Sequence, residues 1–160
     1  LKQVPGIEFI EFDSDLVLDE DRFREEVERV IRQEEELLGR GVTVAVYTKR
    51  KLLSLDNDSP EAALVRSVKI SDAVQSLVGR LKVAPAFVMA KGGITSSDVG
   101  TKALQVKKAT VLGQIRPGIP VWKTGEESRF PGIPYIIFPG NVGEADTLKE
   151  AVGILMGGLQ

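Results

Sequence analysis

Hydrophobic positions along this chain change period repeatedly, and each change marks an element. Ile7, Phe9, Ile10 and Phe12 share six strand-forming positions with Glu8 and Glu11, which predicts a strand over 7–12 ending at the turn Asp13-Ser14-Asp15. From Asp19 or Glu20 the period lengthens to that of a helix. Phe23, Val27, Val30, Ile31, Leu37 and Leu38 recur with charges between them until Gly39 and Gly41 stop the pattern. The intervening Glu and Arg residues read as the solvated face. Residues 42–47 are β-branched and almost wholly apolar, as a strand covered on both faces should be, and Thr48 ends them. Ser59 then precedes Pro60, a cap and first-turn pair, and Leu64, Val65, Val68, Ile70, Val74, Leu77 and Val78 carry a helix to Gly79.

The third repeat is cut differently. An apolar run over 86–90 stops at Lys91-Gly92-Gly93, passes through Ile94, Thr95, Ser96, Ser97 and Asp98, and restarts as a helix over about 97–105. Strand followed by helix, three times over, is the rhythm of a parallel sheet with crossover helices. Beyond residue 108 the pattern becomes antiparallel. Residues 109–115 and 119–123 flank Arg116-Pro117-Gly118, a hairpin turn, and Pro134-Tyr135-Ile136-Ile137-Phe138 forms one more apolar strand. It breaks at Pro139-Gly140-Asn141-Val142-Gly143, after which a last amphipathic helix reaches Ile154, Leu155 and Met156. The expected architecture is α/β, a three-layer, mostly parallel sheet flanked by helices with an antiparallel hairpin addition. Residues 1–160 read as one domain.

Two strands therefore end alike, at Gly92-Gly93-Ile94-Thr95 and at Gly140-Asn141-Val142-Gly143. Ligands of open α/β sheets lie beyond the carboxyl ends of the strands, where two such loops can converge. Glycine lets the backbone approach an anion, successive N–H groups form a nest, and a helix start adds partial positive charge. Thr95, Ser96 and Ser97 would add hydroxyl donors, and Thr48 would line the same edge. A polyphosphate uses all of these groups. Neither loop is a Walker A or Gly-x-Gly-x-x-Gly sequence, so a tight strand-to-helix turn without a ligand stays open for each. Asp98 is open between a metal or proton role and simple placement in the first turn of a helix, with Lys102 as its ion-pair partner. Lys91 is equally open between a phosphate contact and solvent.

Composition narrows the chemistry. The chain has no cysteine and no histidine, which removes disulfides, thiol nucleophiles, zinc fingers and His-based triads. A net charge of −2 and one short basic cluster, Lys49-Arg50-Lys51, give no footprint for nucleic acid. No apolar run has the length of a membrane span and no signal pattern opens the chain, so a cytoplasmic protein is expected. Leu1-Lys2-Gln3-Val4-Pro5-Gly6 reads as the tail of a helix entering a turn, and a piece of a longer protein is expected.

Three co-linear motifs carry a resemblance. Lys91-Gly92-Gly93-Ile94-Thr95-Ser96-Ser97-Asp98, the stretch Val111-Leu112-Gly113-Gln114-Ile115-Arg116-Pro117-Gly118-Ile119-Pro120-Val121-Trp122, and Phe138-Pro139-Gly140-Asn141-Val142-Gly143 together resemble the C-terminal nucleotide-binding domain of the four-carbon acid sugar kinase family. The resemblance implies ATP with Mg²⁺ as cofactor and threonate, erythronate or an oxo-tetronate as substrate. It implies an N-terminal acid-sugar-binding domain as partner, outside these residues, and leaves a homo-oligomer open. By position, Gly92, Gly93, Ile94 and Thr95 would form the first ATP loop, beside the Ser96 hydroxyl, and Gly140, Asn141 and Gly143 the second. Ile94 stands where many relatives carry an acidic residue. A stand-alone phosphate-binding or nucleotide-binding regulatory module is the alternative of a different class.

Overall fold

The computed structural model describes residues 4–49, 55, 58–140 and 146–157. The chain has an α/β fold whose strands fall into two hydrogen-bonded sheets and whose residues group into two compact units.

The first unit spans Gly6–Val83. Strand β1 (Ile7–Phe12) pairs in parallel with β2 (Thr43–Thr48), from Ile7 opposite Thr43 to Phe12 opposite Thr48. A short 3₁₀ turn at Ser14–Leu18 leads to α1 (Glu20–Gly39), whose Asp19 side chain caps the Arg22 amide. Helix α2 (Pro60–Gly79) starts as the Ser59-Pro60 pair predicts, with the Ser59 hydroxyl accepting from the Ala62 amide. Ile10 and Phe12 from β1, Val27, Val30 and Ile31 from α1, and Ala73 and Leu77 from α2 form the core. Leu64, Val65 and Val68, among the apolar positions that predict this helix, are exposed. A helix with apolar residues on both sides gives the period two candidate faces, and only packing chooses between them.

The second unit runs from Ala84 and includes Val4 and Pro5. Its four strands are β3 (Val88–Lys91), β4 (Ala109–Arg116), β5 (Ile119–Thr124) and β6 (Pro134–Phe138), in the spatial order β3-β6-β5-β4. β3 and β6 are parallel; β6, β5 and β4 are antiparallel in turn. Pro117 and Gly118, the latter at φ +80°, close the β4-β5 hairpin as the turn sequence predicts. Ile119, Ile136 and Phe138 form the core, covered in part by Leu148 and Leu155, seven residues apart on α4 (Thr147–Gly157). The single continuous sheet expected from the strand-helix rhythm is thus two sheets. Alternation reveals element types, whereas the choice of edge partners depends on contacts distant in sequence.

Among the described residues no helix is long and apolar enough to cross a membrane. One buried group stands apart chemically. Glu34 on α1 is 5% exposed, and its Oε2 has no hydrogen-bond partner. Burial, reinforced by Glu35, pushes its carboxyl up to about 8 from an ordinary 4.5. The folded chain therefore retains a proton that the unfolded chain loses between those values, and stability falls as pH rises across that window. Urea titrations at pH 5 and pH 8 should show this decline, and Glu34→Gln should flatten it and stabilise the pH 8 protein by on the order of 2 kcal/mol.

Candidate functional site

Parallel neighbours leave a sheet at the same edge, and this places Gly92 and Gly140 together. Lys91 and Phe138, the last residues of β3 and β6, are register partners. One residue further, the Gly92 amide donates to the Phe138 carbonyl at 2.9 Å, extending the ladder past the strand. Gly140 follows so closely that a Cβ built on it would lie 3.9 Å from the Gly92 Cα. Gly92, Gly93 and Gly140 present bare backbone at this rim.

Gly92 has φ +102° and ψ 151°, a conformation open in practice to glycine alone. It turns the chain directly into α3 (Gly93–Asp98). Residues 93–96, expected as loop with a helix beginning near 97, are therefore the first helical turn. The first helical bond runs from the Ser96 amide to the Gly92 carbonyl, 3.0 Å. Helical geometry leaves the Gly93, Ile94 and Thr95 amides without acceptors inside the helix, and the Gly92 cap has no side chain to satisfy them. Gly93 and Ile94 are exposed, Ile94 at 75%, and Thr95 is half-buried with its hydroxyl turned back over Gly92. Three amides without helical acceptors therefore lie beside the bare backbones of Gly92 and Gly140.

Ser96 occupies a different position from the one expected. It is buried, and its hydroxyl donates to the Ala90 carbonyl at 3.0 Å, so that hydrogen serves the fold. Its own carbonyl accepts from the buried Tyr135 hydroxyl. Burial raises the Tyr135 phenol well above its usual range, which keeps it a neutral donor. After Asp98 the helix widens into a π turn at Val99–Ala103, closed by the Leu104 amide on the Val99 carbonyl at 2.8 Å. Gly100 lies there against the Tyr135 ring, where a Cβ would come within 3.3 Å. Ser96 and Tyr135 thus brace α3 against β3 and β6. Periodicity carries no sign of Tyr135, which reads as an ordinary strand residue.

Asp98 pairs with Lys102 at 3.7 Å, as the four-residue spacing suggests. The exposed Lys91 lays its Nζ 5.9 Å from the Phe138 ring centroid, close to the rim. Among the described residues no three acidic side chains gather to hold a metal ion. Thr48 belongs to the other unit, exposed at the carboxyl end of β2 beside Lys49, whose ammonium bridges Asp13 and Asp15 at 3.1 and 2.9 Å. Asn141 and Gly143 lie outside the described residues.

A family model described as the nucleotide-binding C-terminal domain matches residues 1–148. The chain belongs to this family. That agrees with the resemblance drawn from the three motifs. Among solved structures, a domain of unknown function from Bordetella bronchiseptica, a domain-swapped dimer with bound citrate, shares 22% identity at a TM-score of 0.66. The match covers 94% of this nucleotide-binding domain chain and 35% of that one. The Haemophilus influenzae protein HI1011 is similar at 20% identity and a TM-score of 0.64, over 92% and 34% of the two chains. These likenesses support the fold of the family member, and the chain spans about a third of the length of these structures. No curated protein matches it.

The rim makes two substitutions diverge. Gly92→Ala forces a side chain into the +102° conformation and should destabilise the domain by about 1–3 kcal/mol. Gly93→Ala, with nothing within 4 Å of the added carbon, should stay within about 0.5 kcal/mol. Urea denaturation of the two variants measures the difference.

Proposed function

We propose that this chain is the ATP-holding part of a kinase that transfers the γ-phosphoryl group to the terminal hydroxyl of a four-carbon acid sugar, namely threonate, erythronate or an oxo-tetronate. The observation that carries the reading is the abutment of Gly92 and Gly140, two strand exits nearly fifty residues apart in sequence. A single glycine turn is common; two glycines at adjacent strand exits beside free helical amides fit an extended polyanion. Gly93, Ile94 and Thr95 would bind phosphate oxygens through their backbone amides, and Gly140 would pass close to the chain of phosphates. Asn141 and Gly143 complete the second loop on this reading. Lys91, its Nζ 5.9 Å from the Phe138 ring centroid, would add positive charge.

Phosphoryl transfer relies on positioning and on neutralising developing charge, which amides and a cation supply. Bound Mg²⁺ would neutralise phosphate charge and draw its ligands mainly from phosphate oxygens and water, a habit suited to a site with Asp98 already paired to Lys102. The acid sugar, and the base that orients its hydroxyl, are assigned to an N-terminal domain outside these residues. The share of its solved relatives that the chain spans is in keeping with that assignment. The dimeric state of the Bordetella relative favours a homo-oligomer here too, working on the cytoplasmic ATP pool.

Thermal unfolding tests the nucleotide step. Mg²⁺–ATP at about a hundredfold over its Kd should add about 2.7 kcal/mol, a rise in Tm of roughly 5–10 °C. Gly93→Asp has open space for its side chain, so it should leave the ligand-free Tm close to wild type while abolishing the ATP-induced rise by charge repulsion at the rim. The transfer step is tested with the longer protein and sugar acids. ATP stabilisation without phosphorylation of any four-carbon acid would assign the chain to the regulatory class instead.

A further inference from the structure

Helix α2 is apolar on two sides. Its inner side buries Ala73 and Leu77 in the core, with Val74 packed against them. Its outer side carries Leu64, Val65 and Val68, 65%, 55% and 51% exposed. Val68 lies one turn on from both Leu64 (i, i+4) and Val65 (i, i+3), so the three form one patch. Helices apolar all round are ordinarily covered on both sides.

The charges around the patch indicate what covers it. Glu61 stands four residues before Val65 and Lys69 four residues after, both exposed and neither in an ion pair among the described residues. Asp58 and Arg66, by contrast, are already locked to each other. Suppose a second α2 is laid antiparallel over the first, centred on Val65. Glu61 of each copy then lies level with Lys69 of the other, at both ends of the contact. A parallel arrangement would set Glu61 on Glu61 and Lys69 on Lys69. A patch complementary to itself under a two-fold axis is the signature of an isologous contact. The other exposed apolar pair, Val111 and Leu112 on β4, lacks this property. Lys107 and Lys108 precede it, Arg116 follows, and no acidic residue lies between, so self-pairing there opposes like charges.

We propose that the outer face of α2 is a self-association surface on which two copies of this chain pair antiparallel through Leu64, Val65 and Val68, with reciprocal Glu61–Lys69 contacts at its ends. A stable interface buries about 800 Å² per partner, more than this patch provides, so the association is weak and concentration-dependent.

Sedimentation velocity of the chain over a concentration series tests it. The sedimentation coefficient should rise with concentration for the wild type and stay at the monomer value for Leu64→Glu, with unchanged circular dichroism. Glu61→Lys should weaken association roughly tenfold, because the two-fold axis reverses both contacts at once, and adding Lys69→Glu should restore it. A wild-type chain that is monomeric throughout, association that survives Leu64→Glu, or a double charge exchange that fails to restore association would each overturn the proposal.

Discussion

The parallel pairing of β3 with β6 is the constraint on which the candidate site depends. Because both strands run the same way, their exits fall at one edge, and the Gly92–Phe138 hydrogen bond holds the two exits in register one step past the sheet. Had these strands paired antiparallel, Gly92 and Gly140 would leave at opposite edges and no shared rim would form. The conformation of Gly92 then converts the exit into a helix start without an intervening loop, so the unpaired amides of the first turn belong to the rim itself.

A short helix with a glycine cap needs other means of holding its direction. Ser96 reaches back to the Ala90 carbonyl and Tyr135 reaches across from β6 to the Ser96 carbonyl, so both strands of the pair fix α3. The π turn beyond Asp98 brings Gly100 close to the Tyr135 ring, where any larger residue would press on it. These buried contacts contribute no donor to a ligand. Their role is to keep the Gly93, Ile94 and Thr95 amides aimed outward.

Much of this was legible from residue patterns, and the failures have physical causes. Caps and breakers act locally, so Ser59-Pro60, Asp19 and Pro117-Gly118 reveal their elements closely. The two glycine turns were visible as strand exits, and their adjacency followed from placing both strands in one sheet. Ser96 was read as an available hydroxyl because its position among small polar residues looks exposed; its burial arises from a tyrosine thirty-nine residues away. Leu64, Val65 and Val68 marked α2 as a helix, but that they face outward was not legible, because periodicity reports apolar faces without saying which one the fold covers. The division of the strands into two sheets was likewise invisible, being a matter of long-range edge pairing.

Backbone amides are the proposed ligand-binding groups, and they are observed directly by nuclear magnetic resonance. In a titration of ¹⁵N-labelled protein with Mg²⁺–ATP, the amides of Gly93, Ile94, Thr95 and Gly140 should shift together along one binding curve. Saturation with those four unmoved, while amides elsewhere respond, would contradict the shared-rim account.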